Sequence, residues 1–217
     1  ITVGSDENLP NYYCLRDDYI IYSQDQSQNG FCWAFTCSTV LSTTLMKASN
    51  QYYDFSEAWV GLATAQKMPG YVYGSGGNDY YFTSTINVFG MTLESDFQYE
   101  KSYLVNSENK QDFYNYYSQF ANKEIMNGLK YIGFKSQDLS SIKSHILNNG
   151  AVSISLYWNG AVGDNTGLII DTSNNYVYKA PSSKIEGDKS GHAITVIGWD
   201  DNFIKTYNGK EYKGAWI

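Results

Sequence analysis

The sequence predicts an α+β fold of two lobes, one helical and one built on strands. Three observations predict it: helical periodicity fills the first half of the 217-residue chain, strand signals dominate the second, and a cysteine stands at the head of the first long helical segment. A chain of this length buries a substantial core, either as one domain or as two half-domains closing over a cleft. The change of signal falls near Ala121, which divides a single domain, 1–217, into a helical lobe, 11–121, and a β lobe, 122–217.

The first long helix is expected from Cys32 to Ala48. Asn29 and Gly30 supply a turn before it, no Gly or Pro interrupts Trp33 to Ala48, and Phe35, Val40, Leu41 and Leu45 recur near helical spacing. A second helix runs from Ser56 to Lys67, with Ser56 as N-cap and Glu57 in the first turn, where a carboxylate suits the positive end of the helix dipole. A third spans Asp79 to Phe89 and stops at Gly90; a fourth spans Gln111 to Lys123. In the second half, strands at Gly128 to Phe134, Ala151 to Tyr157 and His192 to Trp199 surround a helix from Ser136 to Asn149, whose apolar side carries Leu139, Ile142, Ile146 and Leu147. The stretch from Trp158 to Ser190 is rich in Gly, Asn, Asp and Ser and reads as a surface loop with a short strand at Tyr176 to Tyr178.

Within this frame Cys32 is a candidate nucleophile. The free N–H groups and partial positive charge at a helix N-terminus stabilise an anion, which favours the thiolate. A buried structural cysteine in an amphipathic helix is the alternative, since free cysteine is among the most buried residue types. A nucleophilic cysteine needs a base, and the chain holds two histidines. His192 stands beside the small Gly191, ahead of an apolar run that reads as a buried strand, which suits a site residue. His145 lies in the helix 136–149 and reads as a surface or partly packed residue.

The segment QSQNGFCWAF resembles the active-site segment of the papain-like cysteine peptidases, in which a glutamine precedes the nucleophile by six residues and Cys-Trp-Ala-Phe opens the central helix. Gln26 stands at that spacing, 32 − 26 = 6. The usual signature is C-G-[SA]-C-[WY], and this chain departs from it. Asn29 replaces a disulfide-forming cysteine, and Phe31 replaces a small residue and makes the entrance to the site bulkier. The segment GHAITVIGW resembles the family's histidine motif, with Gly198 and Trp199 closing its strand. Its separation from the cysteine, 192 − 32 = 160, exceeds the family's interval of about 130–150, which an insertion within 158–190 accounts for.

The resemblance implies a two-lobed fold and cysteine-type endopeptidase chemistry. Cys32 and His192 would meet as thiolate and imidazolium, and attack on a peptide carbonyl would give an acyl-enzyme that water then hydrolyses. Gln26 and the backbone N–H of Cys32 would hold the developing oxyanion. The resemblance further assigns the paired glycines, Gly76 and Gly77, to close approach of an extended peptide, and puts Asp79, Ser155, Ser190 and Gly191 around a polar specificity pocket. Asp79 is equally read as a helix N-cap, and the glycines as a flexible turn. No Lys-Ser or Lys-Thr follows them, which argues against a phosphate loop. The final KGAWI resembles the run leading into the family's Trp-Ile-Val-Lys-Asn-Ser-Trp-Gly motif, so the chain is expected to be C-terminally incomplete, lacking the asparagine that orients the histidine. That absence, with Phe31, keeps open a catalytically inactive module of the same fold. No cofactor or metal is implied; the implied partners are a polypeptide substrate and a propeptide or protein inhibitor.

Composition excludes other classes. The net charge is −7 and the 15 basic residues are scattered, with Arg16 the only arginine, so no basic stripe is available for nucleic acid. No apolar run approaches the roughly 18 residues of a membrane span. The 21 tyrosines, as in DFYNYYSQF, read as core and rim packing rather than a sugar or peptide platform. With Cys32 free, only Cys14 and Cys37 remain to form a bridge, and Cys37 is expected in the helix core. No Asn-x-Ser/Thr acceptor occurs. The motif order is most similar to secreted or surface peptidases of bacteria; a lysosome-like or vacuolar compartment is the alternative.

Overall fold

The computed structural model describes residues 8–22, 24–99, 110–120, 128–158, 168–171, 176–179, 190–207 and 209–217. The chain divides into two units, Ser23–Gly133 and Ile1–Tyr22 with Phe134–Ile217. The expected boundary at Ala121 falls outside the described residues.

The unit Ser23–Gly133 is helical: α2 (Cys32–Ser49), α3 (Glu57–Lys67), α4 (Asp79–Phe89) and α5 (Lys110–Phe120). A one-turn helix α1 (Leu15–Asp18) precedes them in the other unit. Helix α3 starts as its sequence predicts, with the Ser56 hydroxyl accepting from Trp59 N at 3.1 Å. Every residue from Glu57 to Thr64 is buried, so α3 forms the axis of the unit. Trp59 lies near-parallel to Phe113 at 5.7 Å and to Tyr117 at 6.3 Å, with Ala58, Leu62, Ala63 and Phe97 completing the cluster. The tyrosine-rich segment of α5 therefore supplies core and rim packing, as read from sequence.

Helix α2 buries a different face from the one its large residues suggest. Ala34, Cys37, Ser38, Leu41, Ser42 and Thr43 are buried, while Phe35, Val40 and Leu45 are only half-buried. Ser42 and Thr43 can sit inside because they return their donors to main-chain carbonyls, Ser42 to Tyr53 O at 2.6 Å and Thr43 to Val40 O at 3.0 Å.

The other unit carries a five-stranded sheet in the order β1 (Tyr12–Cys14), β6 (Gly198–Tyr207), β7 (Lys210–Trp216), β4 (Tyr176–Lys179), β3 (Leu168–Asp171). A separate antiparallel pair joins β2 (Val152–Trp158) to β5 (Ser190–Val196). Helix α6 (Leu139–Asn149) belongs to this unit; it fixes Lys143 onto Asp201 at 2.6 Å and over the Trp199 ring at 5.5 Å. Trp199 itself is 1% exposed and donates to Pro10 O at 2.9 Å.

Three expectations are corrected. The strand at Gly128 to Phe134 does not form: the segment has no strand partner among the described residues, Tyr131 and Ile132 are exposed, and the Asn87 side chain takes both main-chain groups of Leu129. Helix α6 starts at Leu139 rather than Ser136, because Asp138 caps it by accepting from Ser141 N at 3.2 Å, and Leu139 is exposed. The strand expected over His192 to Trp199 is two strands. Ile197 breaks it by bonding Ile217 O and Leu15 N, which turns the chain from β2 towards β1 and β7, and the β1 backbone passes so close to Gly198 that a Cβ there would lie 2.2 Å from Tyr13 O. The bridge that the cysteine count left open is not formed: Cys14 and Cys37 are both free, and Cys37 is buried within α2 as expected.

Candidate active site

Cys32 is the first residue of α2 and is half-buried. Phe31, expected to crowd the entrance, does the opposite. Its side chain is fully buried, edge-on to Tyr73 at 5.0 Å, and lies over Gly61 of α3, where an added Cβ would come within 2.3 Å of the ring. The bulky residue before the cysteine is thus absorbed by the core through a glycine opposite it, and leaves the helix head uncovered on its account.

The loop before α2 is tied at several points. Gln26 donates through Nε2 to Asn29 O at 2.9 Å, and Asn29 donates through Nδ2 to the Tyr99 hydroxyl at 3.0 Å. Gly30 N donates to Gly74 O at 2.7 Å; a Cβ on Gly30 would lie 2.8 Å from Gly76 N, so only glycine lets these two loops touch. Trp33 and Tyr71 both donate to Ser75 O, at 3.3 and 2.8 Å. The structure therefore brings Gln26, Cys32 and the paired glycines together at one end of the helical unit.

The two glycines differ. Gly76 is exposed with open space where a side chain would stand, whereas a Cβ on Gly77 would lie 2.5 Å from the Trp33 ring. Gly77 is required by packing whatever it binds. Asp79 is the first residue of α4 and not its cap, which is Asn78, accepting from Tyr81 N at 2.9 Å. The Asp79 carboxylate instead accepts from the Cys37 thiol at 3.3 Å, and burial, with that carboxylate beside it, pushes the Cys37 thiol well above its usual range. Cys37 is accordingly an inert packed thiol.

The remaining candidates lie in the strand-rich unit. His192 stands on β5 opposite Leu156 of β2, and Gly191 beside it is exposed. Ser155 pairs with Ala193, so strand alternation places it on the face opposite to that of His192. Ser190 pairs with Trp158 at the strand end. Burial pushes the His192 imidazole below its usual value. His145 is half-buried against Phe134, ring centres 5.2 Å apart, as a partly packed histidine should be. No group of three or more His, Cys, Asp or Glu able to hold a metal ion occurs among the described residues.

Sequence reasoning overlooked Tyr99 and Glu94. The Tyr99 main-chain N–H donates to the Glu94 carboxyl, and its hydroxyl donates to Gln26 O at 2.7 Å. They lie 67 and 62 residues from the cysteine, and no local periodicity marks a side chain that reaches so far along the chain.

The family model described as papain family cysteine protease matches residues 9–213. No curated protein matches the chain by sequence. Among solved structures, the chain is similar to a digestive procathepsin L 3 of the Tenebrio molitor larval midgut, with TM-score 0.63 and 20% identity over 98% of this chain and 60% of that one. It is similar to the cysteine protease and lectin-like domains of Cwp84, a surface layer associated protein of Clostridium difficile, with TM-score 0.67 and 18% identity over 98% of this chain and 45% of that one. It is also similar to the bromelain protease of Ananas comosus in complex with the E64 inhibitor, with TM-score 0.56 and 16% identity over 96% and 81% of the two chains. The chain thus spans about 60% of the first of these structures and 45% of the second. At such identities the likeness is one of fold, an α+β fold of the papain type, and the family match over nearly the whole chain carries the assignment: the chain belongs to the papain family of cysteine proteases.

Proposed function

We propose that the protein is a cysteine-type endopeptidase. Cys32 is the nucleophile, His192 the base that takes its proton and later activates water, and Gln26 the side-chain donor to the oxyanion. The observation that carries this reading is the placing of Cys32 at the first turn of an 18-residue helix with Gln26 tied down just before it. One amide hydrogen of Gln26 is used within the loop, and the second is left for an oxyanion. Burial alone favours neutral His192, so a thiolate partner is what would sustain the imidazolium form.

Gly76, open on its side-chain side, suits main-chain pairing with an extended polypeptide. Asp79, Ser155, Ser190 and Gly191 are the residues this reading assigns to substrate binding; the Asp79 carboxylate already accepts from Cys37, and alternation along β2 and β5 puts Ser155 and Ser190 on opposite faces of the ribbon. A propeptide or protein inhibitor is the further partner that this reading takes. A secreted or surface location is proposed, with a lysosome-like compartment as the alternative; no helix among the described residues is long and apolar enough to cross a membrane.

The test is acyl-enzyme trapping. A peptidyl p-nitrophenyl ester should add one acyl group to Cys32, detected by intact mass and peptide mapping, and Cys32→Ala should abolish both the adduct and peptide hydrolysis. Hydrolysis that persists in Cys32→Ala would reject the assignment.

A further inference from the structure

The four residues from Gln26 to Asn29 form a turn held by one hydroxyl. Tyr99 donates to Gln26 O at 2.7 Å and accepts from Asn29 Nδ2 at 3.0 Å, so both ends of the turn are bonded to the same oxygen. The circuit closes through the Gln26 side chain, which donates to Asn29 O at 2.9 Å. Ser27, inside the turn, has a positive φ of 55°, a conformation that a non-glycine residue keeps only when its surroundings hold it. The Tyr99 ring is fixed in turn, edge-on to Phe35 at 4.9 Å and tilted on Phe31 at 5.9 Å, and its main-chain N–H is bonded to Glu94. Burial pushes the Tyr99 phenol above its usual value, so it remains a neutral O–H donor.

We infer that Tyr99 is a positioning residue for the oxyanion donor, holding the Gln26–Asn29 turn so that the free amide hydrogen of Gln26 faces the position where the oxyanion forms at Cys32. This rests on the peptidase reading above. Tyr99 does not touch the reacting atoms; it acts through Gln26. The position left by the disulfide-forming cysteine of the resemblance, Asn29, is one of the two groups it bonds, so a hydrogen-bonded clamp stands where a covalent bridge would otherwise constrain the loop.

Tyr99→Phe keeps the ring contacts and removes only the hydroxyl. An oxyanion donor acts in the transition state, so kcat should fall about tenfold with KM unchanged, a part of the 10²–10³ expected for losing the donor outright. In a Gln26→Ala background the same substitution should cost nothing further, because its only route to catalysis is gone. A kcat within twofold of the parent, or the same tenfold loss with and without Gln26, would overturn the inference. Amide hydrogen exchange across residues 26–30, read in the same intact proteins, separates the two layers. If the parent protein turns over no substrate, the peptidase reading fails, yet faster exchange in Tyr99→Phe would still support the clamp and unchanged exchange would refute it.

Discussion

Glu57 and Glu94 are held away from their ordinary ionisation by burial. Glu57, 1% exposed in the first turn of α3, is pushed well above the carboxylate range by burial, with the Glu94 and Asp54 carboxylates adding to it, so burial works against the charge that the helix dipole would favour. Glu94 is raised by burial from 4.5 to about 7. A carboxyl whose folded pKa lies above its unfolded value binds its proton more tightly in the native state, so its contribution is neutral at low pH and becomes destabilising as pH climbs from the unfolded towards the folded value. Glu94→Gln removes that loss while leaving an oxygen to accept from Tyr99 N. Its stability relative to the parent, from urea denaturation, should be near zero difference at about pH 4.5 and rise to a plateau above about pH 7. A difference that does not change with pH would contradict the placement of this carboxyl.

The contact of α3 with the residue ahead of α2 is the element-scale counterpart. In an exposed helix Gly→Ala gains about 1 kcal/mol of propensity. Gly61 faces the Phe31 ring, which Tyr73, Tyr99 and Trp33 hold in place, so overlap should win and Gly61→Ala should lose ~1–3 kcal/mol. Phe31→Leu in the same chain should recover part of the loss, a non-additivity measurable by urea denaturation; a neutral or stabilising single variant would refute the packing. The starts of α2, α3 and α4 and the stop at Gly90 were legible in the sequence, because Ser56, the glycines and the break-free run after Cys32 act through local rules. The segment 128–134 was not, since alternation cannot announce a partner, and here the partner is the side chain of Asn87. The break at Ile197 was equally hidden, for it depends on hydrogen bonds to Leu15 and Ile217, distant in sequence. At the site, motif spacing alone proposes Cys32, Gln26 and His192, whereas the inward turn of Phe31, the engagement of Asp79 by Cys37 and the clamp at Tyr99 depend on residues that meet only in the fold.

At the scale of the whole molecule the two halves of the proposed chemistry come from different units, Cys32 from Ser23–Gly133 and His192 from Phe134–Ile217. Family membership is carried by a match spanning residues 9–213, which includes both. Cys32 and His192 are proposed to act as one pair, and alkylation by a thiol-directed peptidyl electrophile reads that pairing. The native protein should be alkylated at Cys32 faster than free cysteine at neutral pH, Cys32→Ala should not be labelled there, and His192→Ala should retain the thiol but label about as slowly as an ordinary one. Labelling of Cys32 no faster than a free thiol, or unchanged by His192→Ala, would rule the pairing out.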